Sequence, residues 1–529
     1  MLLPRLKSKV SARYILMKEK TKILLYWFIL LQPFLDLDFF YRGKLATILP
    51  FTIPTIIRIA GVIVLVGLLV WGQKQLPPAW LWAYLALLTL YGIFHLWHMQ
   101  NFKSLSPNDY GYSNFGEIFY LFRMLLPLAL IWVTKKLEIS QDFLLKAFAW
   151  VSGLFTGTIV LSNLFVVSLK SYETGVISGN IFTWFMGPLY GYSHSASKGF
   201  FYFTNTLSAI LLMLAPVVFY LLLERFSWQT GLLTLSQTLA MLEVGTKVAL
   251  YGLAGTLAVS LIAWLVHLFC LKNVKFSKGG LVTLLALAGI TGVCWQVSPA
   301  VQRYKYEIYW ANSHDSKIDQ ENALLKAGLA KYKNDPDKLK EFEKDFLAKY
   351  YQKYALNKRF ITKSYPYKYD PQFWIDLLKE PASVRLANRK VEEAMLKQVV
   401  KYDNDPLDKW LGIGYMRQTN IFNLERDFTA QYYSLGLVGA FLYLAFYPTI
   451  ILYGAFEWLK EKEACRTFYL TSLLIASALL LGASYMSGNV LDFPTSNLLL
   501  AFLDGGLLAY IKEEKGRSTG LRIVRFEKK

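Results

Sequence analysis

Six charged residues at or near the ends of long apolar segments are candidates for phosphate binding and proton transfer. They are Arg58, Arg123, Lys247, Arg389, Glu425 and Asp427. A charged side chain at the end of a membrane span is costly to bury unless a partner or a ligand compensates it. Cations gathered on one membrane face would suit a lipid-linked pyrophosphate, whose oxygens need charge-assisted hydrogen bonds. A partly buried carboxylate could act as a general base toward a hydroxyl group.

Arg58, Arg123 and Glu425 also have a structural interpretation. Arg58 or Arg123 could snorkel toward the interface or form an ion pair with a nearby acidic residue. The acidic residues near them in the sequence are Asp36, Asp38 and Glu117. Glu425 could pair with Arg389 or Arg426. These alternatives predict structural ion pairs in place of a ligand site.

The histidines do not indicate a metal site. His95 and His98 are three residues apart on one predicted helix and share a face, but no third ligand lies close to them in the sequence. Because a protein metal site needs at least three ligands, packing at an interface is the favoured interpretation. We expect neither a metal nor another cofactor.

The charged candidates are set among long apolar segments. Hydrophobic residues make up 54% of the chain and the mean hydropathy is +0.32, which is high for a soluble protein of 529 residues. The hydropathy pattern predicts an all-α polytopic membrane protein with about twelve transmembrane helices. The predicted spans lie near residues 22–40, 52–71, 79–98, 115–133, 143–168, 204–223, 229–245, 247–270, 280–299, 428–455, 466–487 and 491–511.

A long polar block interrupts this pattern between the ninth and tenth predicted spans. We predict an N-terminal transmembrane bundle at 1–300, a helical extracytoplasmic loop domain at 301–426, C-terminal transmembrane helices at 427–511 and a basic cytoplasmic tail at 512–529. Within the block, apolar spacing predicts a helix over 321–354, Asp370 and Pro371 open a second helix, and 386–402 forms a third. Such an insertion before a late span suggests a lid over a membrane-embedded site.

The basic residues predict the orientation, because Lys and Arg crowd cytoplasmic flanks. They concentrate in the N-terminal segment, in alternate connectors and in the C-terminal tail, which places both termini in the cytoplasm and the polar block outside the cell. The net charge of +20 follows largely from this arrangement and indicates contact with anionic membrane lipids, not nucleic acid.

The end of the polar block resembles a known family. Leu411-Gly-Ile-Gly-Tyr415 is followed by Glu425-Arg-Asp-Phe-Thr-Ala-Gln-Tyr-Tyr-Ser-Leu-Gly-Leu-Val-Gly439. This combination of a GxG turn, a polar motif and a span opening with Gly-x-x-Gly resembles the superfamily of O-antigen ligases and polysaccharide polymerases. Ala387-Asn-Arg389, Gly245-Thr-Lys247 and Phe203-Thr-Asn-Thr206 are similar to further elements of that family, and the loop resembles Gram-positive variants.

The resemblance implies transfer of glycan from an undecaprenyl-diphosphate carrier to an acceptor glycan or cell-wall polymer, on the outer face of the membrane. Carried over by position, Lys247 and Arg389 would bind the diphosphate. The family places a histidine where the acceptor hydroxyl is activated, whereas alignment from Gly436 and Gly439 puts Glu425 there, with Asp427 two residues on. Whether the chain acts as a polymerase or a ligase depends on the acceptor.

Two other functions fit parts of the sequence. A multi-spanning glycosyltransferase that uses a polyprenyl-phosphate sugar would place acidic residues in its first extracellular loop, where Asp36 and Asp38 lie. A flippase or transporter of lipid-linked oligosaccharide would span the membrane in a similar way, but such proteins usually carry internal repeats, which this sequence lacks.

Overall fold

The computed structural model describes residues 2–42, 52–105, 113–186, 191–315, 318–415 and 424–527. Within these ranges the chain is helical, with isolated β-bridges but no strand. The longer helices, numbered in chain order, are α1 (Leu2–Leu31), α2 (Ile53–Gly67), α3 (Ala79–Met99), α4 (Asn114–Arg123), α5 (Leu125–Leu137), α6 (Gln141–Leu164), α7 (Thr204–Glu224), α8 (Trp228–Glu243), α9 (Lys247–Leu265), α10 (Lys278–Trp295), α11 (Pro299–Asp315), α12 (Asp319–Tyr332), α13 (Pro336–Tyr350), α14 (Pro371–Leu378), α15 (Asn388–Asp403), α16 (Asp427–Leu444), α17 (Phe446–Lys460), α18 (Phe468–Met486) and α19 (Pro494–Glu527).

In the part of the chain that the structure describes, nine helical stretches are long and apolar enough to cross a membrane. They are Ile53–Gly72, Ala79–Met99, Asn114–Leu137, Gln141–Leu164, Thr204–Glu224, Lys247–Cys270, Lys278–Trp310, Asp427–Lys460 and Phe468–Met486. A polytopic, all-α membrane protein is therefore confirmed, whereas the predicted number of about twelve spans is not.

The other three predicted spans fall on helices of different character. The segments 22–40 and 491–511 lie on or beside α1 and α19, two long helices with several basic residues. The segment 229–245 corresponds to α8, which has 16 residues. At a rise of about 1.5 Å per residue, α8 is about 24 Å long, shorter than a hydrocarbon core of about 30 Å.

The chain folds into two compact units. Unit 1 comprises Met1–Ala83, Met124–Arg303 and Phe446–Lys529, and unit 2 comprises Tyr84–Arg123 and Tyr304–Ala445. At the centre of unit 1 is α7, whose apolar stretch is buried along its whole length against α6, α8, α9 and α18. A helix that is apolar on all sides is expected in such a central position.

Unit 2 has a hydrophobic core of its own. Trp374, Ile361, Tyr354 and Met395 are fully buried there, and Phe102 from the connector after α3 joins them. The polar block is therefore folded around a packed core, and unit 2 extends beyond the block to residues 84–123 and to the whole of α16.

One predicted helix of the polar block is wrong in extent. The segment 321–354 forms two helices, α12 and α13, because Asp335 caps a new helix with its side chain and Pro336 occupies the first turn. The same Asp-Pro signal at Asp370 and Pro371 begins α14, as predicted. The third helix, α15, starts at Asn388, close to the predicted position. Residues 316–317 and 416–423 of the block lie outside the described residues.

Candidate active site

The GxG turn of unit 2 fits against a kink in α16. Gly412 and Gly414 both have φ of +81°, and Gly436, inside α16, has φ of +65°. The Ile413 amide donates to the Tyr433 carbonyl at 2.8 Å, and the Gly414 amide donates to the Ser434 carbonyl at 3.0 Å. These bonds use carbonyls that the kink releases from the helix, so the turn and the kink stabilise each other.

Two histidines of α3 hold the short helix Asp408–Leu411 that precedes this turn. His98 Nε2 lies 2.8 Å from Asp408 Oδ1, at the first residue of the short helix, and both side chains are buried. His95 Nδ1 lies 2.7 Å from the Leu411 carbonyl, at its last residue. The short helix is thus fixed at both ends by side chains one turn apart on α3.

His95 also contacts a buried carboxylate. Its Nε2 lies 3.1 Å from Glu117 Oε2 on α4, and both side chains are fully buried. Because the Leu411 carbonyl can only accept, the contact with Nδ1 requires His95 to donate there, and Nε2 faces the carboxylate on the opposite side of the ring. The hydroxyl of Tyr91 donates to the Leu435 carbonyl at 2.6 Å, which joins this network to the kink. Buried polar groups in such a network are costly to disrupt.

The carboxylates predicted to carry chemistry lie at the start of α16. Asp427 is its first residue and is 1% exposed, whereas the Glu425 side chain is 45% exposed. Arg389, in the first turn of α15, donates to Glu425 Oε2 from Nε at 3.2 Å and from Nη2 at 3.0 Å. Two of the predicted site residues of unit 2 are therefore in direct contact. The ion pair that the sequence offered as an alternative for Glu425 is formed with Arg389.

Arg123 ends α4 and is partly buried. Its guanidinium group lies 5.4 Å from the centroid of the Tyr120 ring. The Tyr120 ring stacks on Tyr415, one residue after the GxG turn, and its hydroxyl donates to Gln431 on α16 at 2.7 Å. Arg123 thus reaches the region of the turn through an aromatic contact.

Arg58 in unit 1 is fully buried and surrounded by protein partners. It donates from Nη2 to Asp36 Oδ1 at 2.6 Å, from Nε to Gln32 at 2.9 Å and from Nη1 to the Tyr41 hydroxyl at 3.3 Å, and it also contacts Thr495 of α19. This is the pairing with Asp36 that the sequence offered as an alternative to diphosphate binding. Its role as a diphosphate ligand stays a prediction.

Asp38 lies in a second polar group of unit 1. It pairs with Arg42, with 2.9 Å between Arg42 Nε and Asp38 Oδ1. Lys198 is 5% exposed and donates from Nζ to the Tyr202 carbonyl at 2.7 Å. Burial and the charge of Arg42 lower the pKa of Lys198 to about 8, against the opposing effect of Asp38.

Lys247 is the exposed first residue of α9. Its helix is capped by Thr246, whose side chain accepts from the Ala249 amide at 3.1 Å. The carbonyl of Gly245 accepts a hydrogen bond from the Tyr172 hydroxyl, and the Arg303 guanidinium lies 4.3 Å from the centroid of the Tyr172 ring. Tyr172 therefore connects the turn that carries Lys247 with a second cation, Arg303.

Sequence reasoning missed several of these residues. Arg303, Tyr172 and Tyr91 were not singled out, and His95 and His98 were interpreted as interfacial packing. The signal for the histidines was their spacing on an apolar helix, which places both on one face. Among the described residues, no group of three His, Cys, Asp or Glu side chains is arranged to hold a metal ion.

The fold and this turn define a polytopic membrane protein with a folded polar unit. Residues 18–514 match the family described as O-antigen ligase like membrane protein, so the chain belongs to that family. Membership indicates a membrane glycan ligase or polymerase that acts with a lipid-linked glycan and an acceptor polysaccharide. No curated protein matches the chain.

Proposed function

We propose that the protein transfers glycan from an undecaprenyl-diphosphate carrier to an acceptor hydroxyl on the outer face of the cell membrane. The proposal takes the termini as cytoplasmic and the polar block as extracellular, as the distribution of Lys and Arg predicts. Membership of the O-antigen ligase like family supports the class of reaction. The acceptor, whether a growing polymer or another glycan, decides between polymerase and ligase.

The observation that carries the proposal is the contact between Arg389 and Glu425. Both nitrogens of the contact reach one oxygen of Glu425, and both side chains remain more than a third exposed. An exposed ion pair is worth at most about 1 kcal/mol. A diphosphate, with more charge and more acceptor oxygens than one carboxylate, can therefore compete for Arg389 at little energetic cost.

This competition suggests how the donor activates the base. When the carrier diphosphate binds Arg389, the carboxylate of Glu425 is released and accepts the proton of the acceptor hydroxyl. The acceptor oxygen then forms a bond with the anomeric carbon of the donor glycan. The bond from that carbon to the diphosphate oxygen breaks, and the electron pair leaves with the diphosphate, which Arg389 stabilises.

Asp427 has a different environment and, in our proposal, a different task. It is almost completely buried at the first turn of α16, where a carboxylate interacts favourably with the positive end of the helix dipole. We therefore assign Asp427 to holding the start of α16 in place and Glu425 to proton transfer.

Lys247 and Arg303 are candidates for a separate phosphate-binding role within unit 1. The exposed side chain of Lys247 follows a turn that Tyr172 holds, and Arg303 stacks on the same tyrosine. We propose that these two cations bind phosphate oxygens of a lipid-linked substrate. Lys247→Ala is expected to abolish transfer while insertion into the membrane is retained.

An exchange of charges tests the role of the Arg389 and Glu425 pair. The variants are Arg389→Glu, Glu425→Arg and the double variant, assayed as full-length protein with lipid-linked oligosaccharide extracted from cells that lack the protein. We expect both single variants to lose transfer. The double variant restores the ion pair and the thermal midpoint, but transfer stays lost because the cation and the base have exchanged positions.

Recovery of transfer in the double variant would show that the pair is only structural. The matched control is the exposed pair Lys379 and Asp376 in the same unit, with 2.6 Å between its charged atoms. Lys379→Glu combined with Asp376→Lys is expected to leave transfer unchanged.

A further inference from the structure

A cavity in unit 1 has a mainly apolar lining that includes two cationic residues. Its volume is about 640 Å³, within the range of small-molecule pockets. It lies between α6 and α8 and reaches the end of α7. Residues that line it include Lys146 and Trp150 of α6, Arg225, and Trp228, Leu232 and Leu233. None of these residues belongs to the groups that the proposed function uses.

The charged residues of this lining lie at one end of the cavity. Lys146 is in the second turn of α6, and Arg225 directly follows the last residue of α7. Arg225 donates from Nη1 to Asp142, which lies outside the lining, at 2.6 Å. The lining itself therefore contributes two cations and no carboxylate. Trp150 and Trp228 are 61% and 74% exposed beside them, as expected of tryptophans in the interfacial belt.

From this charged end the cavity runs along α6 into the apolar part of the bundle. Gly157 also lines it, and Lys146 and Gly157 are separated along the helix by about 16 Å, which is close to half of a hydrocarbon core of about 30 Å. A β-carbon placed on Gly157 would meet no atom within 4 Å. The cavity is thus open at the depth where the end of an acyl chain would lie.

The walls of the cavity are fixed by hydrogen bonds. Ser236 of α8 donates to Thr156 of α6 at 3.0 Å, and Ser152 of α6 donates to Gln237 at 2.8 Å. At the charged end, Ser227 and Thr230 form a reciprocal cap at the start of α8. The space between the helices is therefore built into the fold of unit 1.

We propose that this cavity binds an anionic glycerophospholipid of the surrounding leaflet, with its phosphate at Lys146 and Arg225 and one acyl chain extending toward Gly157. Basic pockets between transmembrane helices bind anionic headgroups through the same charge complementarity. On the predicted topology, this end of α6 faces the cytoplasm, where anionic lipids attract basic residues. The lipid would hold α6 and α8 together and is distinct from the glycan carrier.

Native mass spectrometry of the full-length protein in detergent tests this proposal. The protein is titrated with phosphatidylglycerol and, separately, with phosphatidylcholine of the same chains. Because each cation near a lipid headgroup adds favourable energy, we expect wild type to prefer phosphatidylglycerol about tenfold or more. Lys146→Gln combined with Arg225→Gln removes the preference, while Lys278→Gln, a cation outside the cavity, preserves it.

A second variant tests the acyl-chain part of the cavity. Gly157→Leu fills the open space without changing the charge and is expected to reduce binding of both lipids, with the thermal midpoint close to that of wild type. Equal binding of the two lipids by wild type would overturn the proposal. A preference that survives the double variant, or binding that survives Gly157→Leu, would do so as well.

Discussion

The backbones of Gly412 and Gly436 cross in direct contact. A β-carbon built on Gly412 would lie 2.4 Å from the amide nitrogen of Gly436, and one built on Gly436 would lie 2.3 Å from the carbonyl carbon of Trp410. Both glycines also have a positive φ, which residues with a side chain rarely adopt. Gly412 and Gly436 thus satisfy one packing requirement, which explains the first glycine of the GxG turn together with the first glycine of the Gly-x-x-Gly pattern.

Gly412→Ala or Gly436→Ala is expected to destabilise unit 2 and to abolish transfer. The new methyl group would force the turn away from α16, and the strain at positive φ adds to the clash, so we expect a loss above about 2 kcal/mol. The thermal midpoint of the purified protein measures it. Gly255→Ala is the control, since a β-carbon there meets nothing within 4 Å. Wild-type stability in both site variants would mean that the two backbones do not cross in this way.

The effects of substituting His95 and Glu117 on stability are expected to be strongly coupled, because the two side chains are in contact. Glu117→Gln removes the buried carboxylate that faces His95 Nε2 and is expected to lower the thermal midpoint, because buried polar networks are costly to disrupt. His95→Gln combined with Glu117→Gln is expected to cost less than the sum of the two single changes, because the two side chains belong to one network. A double-mutant cycle on the thermal midpoint measures this coupling. Additive effects would show that the two side chains do not interact.

Glu425→Gln is expected to lower the rate of glycan transfer far more than Asp427→Asn. The amide at position 425 cannot accept the proton of the acceptor hydroxyl, whereas the amide at position 427 keeps its place at the start of α16. Initial rates with saturating donor compare the two variants. Equal tolerance of both changes would place the base elsewhere.

The lowered pKa of Lys198 is expected to make the stability of the folded protein depend on pH above neutrality. Its pKa is about 8 in the folded protein and is close to the ordinary lysine value of 10.5 when unfolded. Between these values the unfolded state binds more protons, so stability rises with pH across this window. We therefore expect the thermal midpoint of wild type to rise relative to that of Lys198→Met as the pH increases from about 8 to about 10. Parallel pH profiles for the two proteins would contradict the burial of a charged lysine.

The sequence predicted the helical class well because long apolar runs determine it. Helix starts were predictable where the local signal was used, as at Asp370 and Pro371, and were missed at Asp335 and Pro336, where the same signal interrupts an apolar pattern. The number of spans stays a prediction, since α8 has 16 residues and is shorter than the stretches that length and composition identify as spans.

The candidate site was predictable only in part. The ion pair of Arg389 and Glu425 was among the alternatives that charge alone suggests. The contact of His95 with the Leu411 carbonyl joins residues 316 positions apart and uses a backbone atom, so no side-chain pattern indicates it. The glycine motifs can be recognised in the sequence. The crossing of the Gly412 and Gly436 backbones is a tertiary contact, which the spacing of the glycines in the sequence does not predict.

Glycan transfer by this protein is tested most directly by the length and attachment of surface glycan in cells that lack the protein, complemented with wild type or with Arg389→Ala. We expect wild type to restore normal glycan and Arg389→Ala to fail to restore it. In the cells that lack the protein, single repeat units on the lipid carrier would identify a polymerase, and long chains on the carrier would identify a ligase. Normal glycan in the absence of the protein, or with Arg389→Ala, would rule out the proposed transfer and the role of Arg389 in it.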